Sequence, residues 1–147
     1  MRSSSIYEQV QRQTLEGREL ESSVLLRAAQ KLHSCAREWD NPHTGVFHER
    51  LSDALEFNQK VWSFLQVELA TPTNPLPETL RLNLLKLSSF IDRRIFALFA
   101  GTGTLEDLLS IARINEQIGK GLEARNNAAE AAAEEEYVSI RLMDIAG

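Results

Sequence analysis

An all-α fold, a small bundle of about five helices built on a central antiparallel αα-hairpin, is predicted by three observations. Apolar residues recur at three- and four-residue spacings along most of the chain, the mark of amphipathic helices. A proline-bracketed stretch, Thr71-Pro72-Thr73-Asn74-Pro75-Leu76-Pro77-Glu78, separates the two strongest of these stripes. No strand pattern of period two occurs anywhere in residues 1–125.

Residues 3–14 suit a short helix with Ile6, Tyr7 and Val10 on one side, ending near Gly17. A helix that short is marginal alone and needs a surface to lie on. Residues 18–39 carry a continuous stripe of Leu20, Val24, Leu25, Ala28, Leu32, Cys35, Ala36 and Trp39, which Asp40-Asn41-Pro42 stops. His43-Thr44-Gly45 is a connector, and a long helix starts near Val46 with Leu51, Leu55, Asn58, Trp62, Leu65 and Leu69 on one face. Pro72 and Pro75 force extended backbone on the residues before them and end that helix. Pro77 suits the first position of the next one, where its missing N–H is not needed, and Glu78 favours the positive end of the helix dipole. Leu80, Leu84, Leu87, Ile91 and Leu98 form the second stripe, so the two apolar faces pack across a short connection.

Gly101-Thr102-Gly103 then breaks the chain, since glycine accepts the left-handed conformation common just past a helix end. Thr104 with Asp107 three residues on approximates a capping box, with Asp in place of Glu. Leu105, Leu108, Ala112, Asn115, Ile118 and Leu122 make the last core stripe. Residues 1–127 read as one helical domain. Residues 128–147 differ: AAEAAAEEE is strongly helix-prone with almost nothing to bury, a solvated spacer. It leads to an apolar end, Tyr137, Val138, Ile140, Leu142, Met143 and Ile145. These residues are candidates for docking into a groove, in cis or on another copy as a homo-oligomer.

With 147 residues, 43% hydrophobic and 25% charged, the chain can bury a core without disulfides or metal. One cysteine, Cys35, excludes an intrachain disulfide and fits a reducing compartment. The opening Met1-Arg2-Ser3-Ser4-Ser5-Ile6 has no apolar core behind its arginine, and no run approaches the length of a membrane span. A cytoplasmic protein without a membrane partner is expected. Of the net charge of −5, residues 123–147 carry −4, from Glu123, Glu130, Glu134, Glu135, Glu136 and Asp144 against Arg125 and Arg141. The balanced remainder offers no nucleic-acid face.

His33, Cys35, His43 and His48 are the soft metal ligands that lie near one another. His33 and Cys35 stand about 200° apart around a helix, poor for a shared ion, and neither an orienting residue nor an oxyanion loop accompanies them. No metal, cofactor or catalytic site is expected, with Cys35 a core residue. Asn58 and Asn115 each interrupt an apolar stripe. They either bond loop backbone or one another and fix helix register, or bond the backbone of a bound partner helix. Trp62 sits at the centre of its stripe, in the core or on a binding surface. Phe90, Phe96 and Phe99, with Ile95 and Leu98, make the fourth helix apolar on more than one side. It is then either buried on two sides or an open groove for an amphipathic guest, with Arg93 and Arg94 solvated or facing a partner's acidic groups.

A-L-x-x-N-x-x-x-W, written by Ala54, Leu55, Asn58 and Trp62, precedes Asn74-Pro75-Leu76-Pro77, a Leu-rich helix and then L-L-S-I-x-x-I-N-E-x-I-x-x-G-L at residues 108–122. In this order, from about Tyr7 to Leu122, the chain resembles the FlaF family of flagellar biosynthesis regulators of alphaproteobacteria. The resemblance implies a non-enzymatic cytoplasmic factor, needed for flagellin production and export, that works beside the flagellin-mRNA regulator FlbT. It points to a flagellin-binding export chaperone or adaptor that shields the apolar terminal helices of flagellin. Candidate partner-binding residues are Asn58, Trp62, Phe90, Arg94, Phe96, Phe99 and Asn115. The alternatives are an RNA-binding regulator of flagellin mRNA, which requires a basic aromatic surface, and a structural oligomerisation module.

Overall fold

The structure, a computed structural model, describes residues 18–40 and 45–146, without the side chains of 18–21, 126, 129, 130 and 140–146. Among the described residues are four helices and no strand: α1 (Arg18–Arg37), α2 (Val46–Ala70), α3 (Glu78–Phe99) and α4 (Leu105–Ala146). The fold is a small all-α bundle. The helix expected over residues 3–14 lies outside the described residues, as do His43 and the side chain of Leu20.

The predicted stripes form the core in α1, α2 and α4. Val24, Leu25, Ala28, Leu32 and Cys35 of α1, Leu55, Asn58, Trp62 and Leu69 of α2, and Leu108, Ala112 and Asn115 of α4 are all buried. Phe57 and Val61 join them from outside the predicted stripe of α2. The Arg27 guanidinium and the Lys31 ammonium lie over the Phe57 ring, 5.9 and 5.1 Å from its centroid, as cation–π contacts. In α3 only the second half is enclosed. Ser88, Ile91, Ile95 and Leu98 are buried, whereas Leu80 is exposed because its segment borders the open turn end of the bundle.

Each helix packs on its chain neighbour, and α4 closes the ring on α1. The most extensive approach is α1 on α4, not the α2–α3 pair that the sequence places at the centre. Side-chain size explains the shift. Large side chains (Leu65, Leu69, Leu84) line the space between α2 and α3, whereas α1 meets α4 closely where Ser22 and Leu26 lie against Gly119. A Cβ on Gly119 would come within 3.0 Å of Leu26. The Ser22 hydroxyl donates to the Gly119 carbonyl, while His33, further along α1, meets Glu116, earlier in α4, at 2.9 Å off the hydrogen-bond line. The two helices are therefore antiparallel.

The joints follow local chemistry. α1 ends at Arg37 in two tight turns, Glu38 N–H to Cys35 and Trp39 N–H to Ala36, two residues earlier than its apolar stripe. Trp39 then packs edge-on against Phe47, with centroids 6.2 Å apart. Asn74 organises the proline turn. Its Nδ2 donates to the Glu68 carbonyl and its Oδ1 accepts the Leu76 N–H, both at 3.0 Å. Pro77 stands one position before the helix rather than within it, extended at φ −55°, ψ 142°, and its carbonyl accepts the Arg81 N–H. Beyond α3, Gly101 takes φ +80°. The Thr104–Asp107 box closes in both directions: Asp107 accepts the Thr104 N–H at 2.9 Å, and the Asp107 N–H donates to Thr104 Oγ1 at 3.2 Å.

Candidate functional site

The polar residues of the motif meet inside the bundle. Trp62 Nε1 donates to Asn115 Oδ1 at 2.8 Å, and Asn115 Nδ2 donates to Asn58 Oδ1. Asn58 Nδ2 in turn donates to the carbonyls of Ala54, at 2.8 Å, and of Ala28, at 3.3 Å. One chain of hydrogen bonds thus ties α2, α4 and α1 across the centre of the bundle. Both asparagines are 0% exposed. Each amide has its partners within the chain, so the register reading of Asn58 and Asn115 describes their place here. Enclosed as they are, Asn58, Trp62 and Asn115 present nothing to a docked helix. The reason is the phase of α2 and α4, which turns all three inward.

Arg94 is likewise engaged within the chain. Its Nη1 donates to Asp107 Oδ1 at 2.9 Å, and its guanidinium lies 4.6 Å from the Phe90 ring centroid. The pair links α3 to the first turn of α4 and leaves Phe90 half-buried beneath it. Ile95 and Leu98 face the core. Phe96 and Phe99, one turn apart on the outer side of α3, remain at the surface at 75% and 44% exposure. The structure thus divides the predicted set: three residues become a core network, two a joint, and two an exposed aromatic pair.

A cavity of about 70 Å³ opens at the turn end of the bundle, lined mainly by Leu25, Trp62, Leu65, Leu69, Leu84 and Ile118, with Leu122 at its edge. Of these, Leu65, Leu69, Leu84, Ile118 and Leu122 belong to predicted core stripes, but no local pattern shows that the stripes stop short of filling this end. Cys35 is buried, and loss of hydration, reinforced by Glu38 against Arg50 and Lys31, pushes its thiol pKa up, away from a reactive thiolate. Among the described residues no group of three or more His, Cys, Asp or Glu side chains gathers as a metal-ligand set.

The tail is not folded onto the bundle. α4 runs unbroken from Leu105 to Ala146, and Tyr137 and Val138 are exposed on it. The side chains of Ile140, Leu142, Met143 and Ile145 lie outside the described residues. Among the described residues, no helix is long and apolar enough to cross a membrane.

Residues 3–122 match the family model described as flagellar protein FlaF. The chain belongs to the FlaF family. No curated protein and no solved structure matches it. Within this FlaF-family chain, Ala54, Leu55, Asn58, Trp62 and Asn115, among the residues that carry the sequence resemblance, take part in the buried network and its immediate packing. The match ends at Leu122 and α4 runs on to Ala146, so the distal half of α4 lies outside the family segment.

Proposed function

We propose that this flagellar protein is a flagellin-binding export chaperone or adaptor, holding a terminal helix of flagellin on the outer side of α3. The observation that carries this reading is the exposure of Phe96 and Phe99 at i, i+3 spacing, on a helix whose opposite side is locked into the core. An amphipathic guest helix recognises such a row through anchors at i, i+3, i+4 and i+7, and two aromatic rings supply the buried area that fixes it. The action is steric: an apolar helix held this way is kept from polymerising until export. Arg93, exposed on the same helix, offers a cation to acidic groups flanking the guest's apolar face.

The test is capture of purified flagellin, and of its isolated terminal helices, by the wild-type chain and by a Phe96→Ser, Phe99→Ser variant. Loss of both rings is expected to weaken binding by about a hundredfold, since two aromatic anchors at about 1.4 kcal/mol or more each suffice for that change. The melting temperature should stay unchanged. Equal affinity of wild type and variant would remove this surface from the reading. Binding of flagellin mRNA instead, with a steep salt dependence, would favour the RNA-regulator alternative.

A further inference from the structure

Two cations border the outer side of α3, and neither forms an ion pair among the described residues. At 3.6 residues per turn, Leu82, Leu85, Ser89 and Phe96 fall within about 60° of arc around the helix axis. Leu82 is 47% and Phe96 75% exposed, with Leu85 half-buried between them. The row is about four turns long, roughly 21 Å from Leu82 to Phe96. Ser89 is its one small member and leaves a gap between Leu85 and Phe96. Phe99 stands on one border of the row. Lys86 and Arg93, both exposed, stand on the other, each four residues after a member of the row and seven from one another. The neighbouring charges are held within the chain. Glu106 and Asp107, in the first turn of α4, pair with Arg113 and Arg94. Asp92, on the Phe99 border, accepts from Gln66 of α2 at 2.8 Å, and Arg81 reaches the Thr71 carbonyl. Glu78 opens α3, about 12 Å before Lys86, where it favours the helix dipole. The charge left unanswered along the row is therefore positive and on one border only.

We propose that this row takes an amphipathic partner helix of about four turns or more, with carboxylates along one border of its apolar face set against Lys86 and Arg93. Lys86 and Arg93 lie about 10 Å apart along α3, so the matching carboxylates are about seven residues apart on the partner. Leu82 is the second anchor, at the opposite end of the row from Phe96, and the gap at Ser89 receives a large partner side chain as a hole receives a knob. Exposed ion pairs add little affinity. Like charges brought together cost more, so the border selects acidic-edged helices over basic-edged ones, while the apolar row supplies the binding. A nucleic-acid surface would carry its cations along the row itself, where leucines stand. The place of this partner on α3 rests on the flagellin-binding reading above; the row adds the partner's length and the sign and side of its charge.

The test is binding of two helical peptides of about 18 residues to the full chain, enough to span the row. Both carry one leucine row; one has glutamates seven residues apart along a border of it, the other lysines at the same positions. The wild-type chain is expected to bind the glutamate peptide about tenfold or more tighter than the lysine peptide, and salt should shrink the difference. The Lys86→Glu, Arg93→Glu variant should reverse the preference. Leu82→Ser should weaken the glutamate peptide severalfold, and the melting temperature of both variants should match wild type. Binding of neither peptide overturns the proposal, whether or not an oligonucleotide binds instead. So does a wild-type chain without preference, a preference that the charge reversal leaves unchanged, or a Leu82→Ser variant that binds as wild type does. Purified flagellin separates this from the reading beneath it. Peptides that behave as expected beside uncaptured flagellin remove the flagellin reading and keep the partner's chemistry. Flagellin held equally by wild type and by the charge-reversed variant keeps that reading and overturns this one.

Discussion

Asn115 holds the central position in the buried network because it accepts from Trp62 and donates to Asn58. Removing it orphans an indole N–H and an amide oxygen where water does not enter. Asn115→Ala should therefore lower stability by about 2–5 kcal/mol, combining roughly 1–3 kcal/mol for each unsatisfied group with a small cavity. Asn115→Asp keeps the acceptor for Trp62 but turns the donor to Asn58 into a second acceptor, and should also destabilise. Denaturant unfolding of both variants checks this, and a midpoint equal to wild type in either would show that the network does not hold the helices. Legibility at this scale was mixed. Each asparagine is visible in the sequence as a polar break in an apolar stripe. That the two stand opposite one another, 57 positions apart, depends on how α2 and α4 turn toward the bundle centre. Asn74 is visible in the sequence as part of Asn74-Pro75-Leu76-Pro77, but that it pins the proline turn through two hydrogen bonds, as an Asx turn does, is not read from the motif.

At the scale of elements, the helix boundaries were readable wherever side chains close them. The Thr104–Asp107 box and Gly101 sit as their local chemistry demands. Gly103 is required for a different reason. A Cβ there would stand 2.6 Å from Leu98 Cδ2 and 2.9 Å from the Leu98 Cα, so backbone as well as side chain must move. Gly103→Ala should cost about 1–3 kcal/mol, as overpacking does, and thermal unfolding measures it. A change smaller than the error of the measurement would mean that the α3–α4 joint relaxes freely. The apolar row of α3 was legible too, but not its division. Spacing placed Leu98 in the core stripe, but it cannot tell which of Phe90, Ile95, Phe96 and Phe99 the neighbouring helices cover, because all four are apolar.

For the whole molecule, the family match ends at Leu122, and α4 continues past it as one helix to Ala146. Shortening the chain after Asn127 removes, among the described residues, exposed helix and no core residue, so the melting temperature should stay within about 2 °C of the full chain at low micromolar concentration. A larger drop would show that the extension supports the bundle. The sequence by itself determined the helical class, the position of the turns, most of the core stripes and the FlaF resemblance. Each of these is written in local spacing and in residues whose backbone preferences act over a few positions. Only the tertiary structure decided that α1 and α4 form the closest pair, since close approach depends on which small residues face one another across the chain. It alone decided that Asn58, Asn115 and Trp62 close a network in the interior, while Phe96 and Phe99 stay outside. It also decided that α4 runs on unbroken past Leu122 to Ala146, which composition alone does not fix.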